Sequence, residues 1–264
     1  MKNFLFIFLV LISTHSMAQK PVVMKWDTIV IRDVNNSERV TIQIKNSVSG
    51  TIYMEGDLLA TKKNGVWRTY YDTGLPSMIE NFDMGEKTGI QLTFSPTAVL
   101  QTECYYSNGV LNGISKEFEV TGYYHIIQTY VNGELNGAKK IFYKDHGTLQ
   151  EDGWFKDGMR DSINRWYYTN GKLLTEMTYQ NGMIEGMAKS YSDAGILQSE
   201  GMYHNNEQYG FWKEYYDTGK LKSEGSYSDG KKTGEWKEYN PDGSLRVIQT
   251  WKNGDMTKES QPKN

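Results

Sequence analysis

The chain has 264 residues, a formal charge of −3, 13% aromatic residues, 26 glycines, five prolines and one cysteine. That length allows one or two domains, and the mildly negative charge argues against nucleic acid as the natural partner. A composition rich in Tyr and Gly but poor in Pro excludes a helical or disordered chain in favour of β structure with many turns, and Cys104 alone cannot close an internal disulfide.

Residues 1–18 read as a secretory signal. Lys2 gives the positive start, Phe4 to Ile12 is an apolar run too short to span a bilayer, and Ser16-Met17-Ala18 is a small-x-small cleavage site before Gln19. The expectation is an exported protein, periplasmic or extracellular after cleavage near Ala18. No later segment is apolar enough to cross a membrane as a helix. Residues 19–64 contain WDTIVIRDV and RVTIQIK, two expected strands, then a worn copy of the repeat at 41–64. Together they are expected to cap the N-terminal end.

Eight repeats follow over residues 65–257, and 258–264 is a polar tail. The repeats are anchored on the last residue of a DTG- or PDG-like turn: Gly74, Ala98, Gly122, Gly147, Gly171, Gly195, Gly219 and Gly243. Successive anchors lie 24 residues apart, except for 25 between Gly122 and Gly147. Position numbers below count from each anchor. A second turn comes at +11, from Gly85 to Gly254, with Asn206 in one copy. Two turns in 24 residues leave two short strands, so each repeat is predicted to be one β-hairpin. The extra residue between Gly133 and Gly147 is expected to be absorbed as a bulge or a longer loop.

Four columns carry the apolar residues. Position −4 holds Tyr70, Phe94, Phe118, Tyr143, Tyr167, Tyr191, Tyr215 and Tyr239. Position +2 runs from Pro76 through Leu100, Tyr124, Leu149, Leu173 and Leu197 to Leu221 and Leu245. Position +8 holds Phe82, Tyr106, Tyr130, Phe155, Tyr179, Tyr203, Tyr227 and Trp251, and −8 holds Val66, Ile90, Ile114, Lys139, Ile163, Met187, Phe211 and Glu235, the one column not apolar throughout. Strict alternation along each strand puts all four columns on one face. One repeat cannot bury enough surface to fold alone, so stability must come from stacking. The fold class expected is all-β: an elongated, twisted antiparallel meander of stacked hairpins.

The opposite face is then expected to expose Trp67, Tyr71, Trp166, Tyr168, Trp212, Tyr216 and Trp236. Rings amid mixed charge suit a binding surface, whether for another protein or, by stacking on sugars, for a cell-wall glycan. Arg68, Lys116, Arg165, Lys189, Lys213 and Lys237 at −6 read as stems laid over rings, the rival reading being a strip for a membrane surface or an acidic polymer. Glu103, Glu176, Glu200 and Glu224 at +5 read as a solvated ladder paired with Lys. His125, His146 and His204 fall at different places in the hairpin and form no metal-ligand spacing, and no nucleophile, phosphate or dinucleotide motif occurs. No catalytic residue, metal or cofactor is expected.

The pattern G-x-W-x-x-Y-Y-x-x-G-x-L-x-x-E-x-x-Y-x-x-G-K, clearest at Gly210 to Lys231, resembles the bacterial variant of the MORN repeat. The resemblance covers about residues 41–257. It implies β-hairpins in an elongated sheet, and scaffolding, dimerisation or membrane association without catalysis by the repeats. Some bacterial members carry the label of antitoxin in toxin–antitoxin pairs, which would make the partner a toxin.

Overall fold

The computed structural model describes residues 26–33 and 35–261. The expected signal at 1–18 and the last three residues of the expected tail lie outside the described residues. The described residues are all-β, with 22 strands in one open antiparallel sheet. Each row pairs with the next in sequence, so the topology is a meander. Strand β1 is Trp26–Arg32, β2 is Arg39–Asn46, β3 is Ile52–Leu59, β4 is Lys62–Tyr70 and β5 is Pro76–Asp83. The same pattern continues to β20 at Lys231–Tyr239, β21 at Leu245–Lys252 and β22 at Asp255–Ser260. Lys258 to Ser260, expected in the tail, therefore belong to the last strand. No helix is long and apolar enough to cross a membrane among the described residues.

The two turns of each unit differ. At the anchor, −3 donates its N–H to the carbonyl of +1 and the anchor donates back to −3, as in Tyr216 to Lys220 and Gly219 to Tyr216. The turn before +11 is a two-residue loop with both residues at positive φ, as in Asp229 at 49° and Gly230 at 70°. That geometry matches the right-handed twist of the flanking strands. The extra residue of the fourth repeat sits in its anchor loop, where Tyr143 bonds Thr148 and Gly147 bonds Tyr143. It shifts the register, so Phe142 faces Leu149 and Tyr143 leaves the −4 column.

The register within each hairpin corrects the single-face expectation. Tyr215 faces Leu221, yet Glu214 faces Ser223. Residue +3 is thus an unpaired one-residue bulge, and it recurs from hairpin to hairpin. One extra residue reverses the alternation beyond it. Positions −4, −6, −8, +2, +5 and +7 share one face, and −5, −7, −11, +4, +6 and +8 share the other. The +8 rings therefore do not lie beside the −4 rings: Phe82, Tyr106, Tyr130, Phe155, Tyr179, Tyr203, Tyr227 and Trp251 lie with the tryptophans. For the same reason Trp67 faces Glu80 and Trp236 faces Gln249.

A second irregularity joins successive hairpins. Between Glu200 opposite Lys213 and Met202 opposite Tyr209, three residues, Gly210 to Trp212, oppose Gly201 alone. Two extra residues preserve the alternation. The first of the three, at −9, has positive φ, as in Gly210 and Gly234 at 68° each. This kink lays the −7 indole across the +6 residue of the preceding strand. A Cβ on Gly56, Gly201 or Gly225 would overlap the ring of Trp67, Trp212 or Trp236. Each indole Nε1 donates to a backbone carbonyl, of Asp57, Met202 or Ser226, at 3.0 Å. The rings then pack edge-to-face, with centroids of Tyr203–Trp212 at 5.3 Å, Trp212–Tyr227 at 6.0 Å and Tyr227–Trp236 at 5.0 Å.

Among the described residues, every buried apolar side chain belongs to this face: Trp67, Phe82, Phe155, Ala188, Trp212, Trp236 and Val247. Where −7 is not Trp, its neighbour changes size to match. Ala188 faces Met177, and Ser115 meets Cys104 with Oγ to Sγ at 3.2 Å. Asn164 faces Gly153, and Arg160 fills the remaining space. Its guanidinium bonds Asn164 at 2.9 Å, pairs with buried Glu151 at 2.7 Å and lies over the rings of Phe155 and Trp166.

Trp236→Ala is therefore expected to cost about 3–5 kcal/mol, read as a fall in the denaturant midpoint. Gly225→Ala should destabilise the wild type but cost markedly less in the Trp236→Ala background, where its methyl group has the vacated indole site. A double-mutant cycle measures that coupling.

Candidate binding surface

The face that carries −4 has three parallel rows running across the strands. Nearest the anchor turns is the Tyr–Leu row, with pairs such as Tyr167–Leu173, Tyr191–Leu197 and Tyr239–Leu245. The middle row is a charge ladder of −6 and +5. Lys116 pairs with Glu103 at 2.8 Å, Arg165 with Glu176 at 2.6 Å and Lys189 with Glu200 at 3.9 Å. The Tyr hydroxyls reach into this row. Tyr70 donates to Glu55 at 2.7 Å, Tyr215 to Glu200 at 2.8 Å and Tyr239 to Glu224 at 2.8 Å. Burial and these carboxylate bonds push the three phenols up from 10.0 to about 12.

The third row, of −8 and +7, is apolar and open to solvent. It runs through the cross-strand pairs Ile90–Tyr105, Ile114–Thr129, Ala138–Trp154, Ile163–Thr178 and Met187–Met202, and ends at Tyr209 and Phe211. Trp154 is 49% exposed, Met202 46% and Phe211 54%. Eleven strand rows at about 4.8 Å make a stripe roughly 50 Å long. It is bordered by the mixed pair Val66–Asn81 on one side and stops at the polar pair Glu235–Thr250 on the other. An exposed apolar run of this extent is a candidate interaction surface.

The rings expected to form the binding face lie elsewhere. Trp67, Trp212 and Trp236 are 4%, 5% and 1% exposed and form the core, so none is open to stack on a ligand. Trp166 is half-buried against Arg160 and Tyr179. Tyr71, Tyr168 and Tyr216, at −3, tie each hairpin to the next. Their hydroxyls donate to the carbonyls of Phe94, Tyr191 and Tyr239 at 2.7–2.8 Å. Tyr143 makes the same bond to Tyr167. Of the −8 residues read with the core, Val66, Ile114, Ile163, Met187 and Phe211 are exposed. A signal for this was present in the sequence: Gly stands eleven residues before Trp67, Trp212 and Trp236, as expected if each ring rests on it.

Among the described residues, no three His, Cys, Asp or Glu are placed to hold a metal ion. A cleft of about 580 Å³ opens between successive anchor turns, lined by Tyr168, Ser192, Asp193 and Asp217 among others. His204 sits apart from it, exposed at the end of the strand Leu197–His204, with Nδ1 at 2.9 Å from Glu185.

Residues 160–181, 184–205, 209–229 and 232–253 match the family model described as MORN repeat variant. Each match is one hairpin closed by an anchor turn. Of the four earlier hairpins, on which no match falls, three share this register and the fourth is offset by one residue on its first strand. No curated protein matches the chain.

A raised phenol pKa stabilises the fold while the phenol is neutral. The contribution of Tyr70, Tyr215 and Tyr239 is complete below pH 10 and is lost as pH rises from 10 through 12. Ultraviolet titration of phenolate should show a late-ionising set that shrinks in Tyr215→Phe and Tyr239→Phe. Tyr216→Phe should cost about 0.5–1.5 kcal/mol in thermal or urea unfolding, from loss of the bond to the next hairpin.

Proposed function

We propose, from the premise that residues 160–253 are four MORN repeats of the variant type, that this chain is a non-catalytic scaffold that binds another protein through its exposed stripe. MORN repeats serve scaffold or binding roles and are typically non-catalytic. The observation that carries the reading is the division of the two faces. The Trp face is consumed by stacking, and its residues are fixed by one another. The stripe contributes little to stacking, so its identity is free to serve recognition. Its composition suits that role: aromatic residues and Met are enriched at interface centres, and Met adapts to irregular partners. The amino-terminal segment Lys2 to Ala18 supports a scaffold that works outside the cytoplasm, in the cell envelope.

The test is affinity capture from the native envelope fraction with wild type and with Met202→Lys/Phe211→Glu. Both residues are about half exposed, so the variant should unfold within a few degrees of wild type. It should lose a specific partner that the wild type retains. Equal capture by the two proteins would remove the stripe as the binding site. Mass spectrometry of the exported protein should place its first residue at Gln19.

A further inference from the structure

Resting on that reading, we infer that the stripe takes an acidic amphipathic segment, one with apolar side chains on one side and Asp or Glu along its flank. The charge ladder beside the stripe carries the argument. Its carboxylates are already engaged from within the sheet: Glu176 by Arg165, Glu200 by the Tyr215 hydroxyl and Glu224 by the Tyr239 hydroxyl. The cations next to the most exposed part of the stripe are held less closely. Lys213 forms no ion pair among the described residues, and Lys189 reaches Glu200 only at 3.9 Å. Lys237 turns to exposed Glu235 at 3.4 Å.

Cross-strand register puts Lys189 beside Glu200, and Glu200 beside Lys213. Lys189 and Lys213 are two residues along the strand from Met187 and Phe211, on the same face. Two strand rows separate the lysines, roughly 10 Å. A segment seated on Met187, Met202, Tyr209 and Phe211 therefore has Lys189 and Lys213 along one border. Lys213, which has no ion pair among the described residues, and Lys189, held only at 3.9 Å, favour carboxylates beside a desolvated apolar strip, and a bound base there would meet like charge. The −6 column thus acts in recognition as well as in pairing with the +5 carboxylates.

A display library of random amphipathic peptides, panned on the full chain, tests this. The expected result is enrichment of peptides with Asp or Glu adjacent to apolar positions. Their binding should weaken at least tenfold in Lys189→Glu/Lys213→Glu, fall with rising salt and be lost in Met202→Lys/Phe211→Glu. The charge-reversed variant should in turn enrich Lys- and Arg-flanked peptides. Enrichment of basic or neutral peptides by wild type overturns the inference, and so does failure to enrich any. Enriched peptides that are lost on the stripe substitution but indifferent to charge reversal also overturn it, while leaving the stripe as a binding site. Peptides indifferent to the stripe substitution overturn both readings.

Discussion

The indole laid across a backbone glycine is the contact on which this sheet depends. A hairpin has no partner layer to cover it, so its apolar side chains must find cover from neighbouring hairpins. Three residues opposite one create a kink at −9 that swings Trp67, Trp212 and Trp236 down onto Gly56, Gly201 and Gly225. The ring then covers bare backbone, takes up a carbonyl that the kink leaves free and meets a +8 ring edge-on. A side chain at +6 would occupy the ring's place, so Gly there and Trp at −7 come as a pair. The other hairpins meet the same constraint differently, with Ala188 against Met177 or with the Arg160–Glu151–Asn164 group in place of an indole.

That constraint also sorts the two faces by role. The −7 and +6 residues must agree with each other across eleven positions, which leaves them little freedom. The opposite face is held by the Tyr hydroxyls on Glu55, Glu200 and Glu224 and by Lys–Glu pairs, and these bind at its first two rows only. The −8 and +7 row has no such duty. Its sequence changes from Ile114–Thr129 to Met187–Met202 to Phe211–Ser226 without changing the register. A stripe that varies on an invariant frame is what a repeat scaffold needs for recognition. The ends of the sheet differ too. Strand β22 carries Asp255, Lys258 and Glu259, charges that discourage further pairing, whereas β1 exposes Ile29, Val30 and Ile31.

Much of the fold was legible in the sequence. The anchor glycines, the turn pairs and the Tyr and Leu columns place every hairpin, and the −4 to +2 pairing follows from the turn alone. The candidate site was not legible by alternation. A single bulge at +3 moved the +8 rings to the Trp side, exposed Ile114, Met187 and Phe211, and buried three tryptophans expected to meet a ligand. Tyr71, Tyr168 and Tyr216, expected beside them, turned out to fasten one hairpin to the next. The fourth repeat went astray by one residue because its extra residue lengthened a loop, so that Phe142, and not Tyr143, met Leu149.

The sequence by itself determined the period, the hairpin and the need to stack, because turn chemistry and repeat spacing are local properties of the chain. Only the tertiary structure decided which face is core. A side chain's direction depends on how many residues oppose one another across two strands, and a bulge is a relation between strands that neither carries alone. Hence the same rings could be counted from the sequence but not assigned to a side.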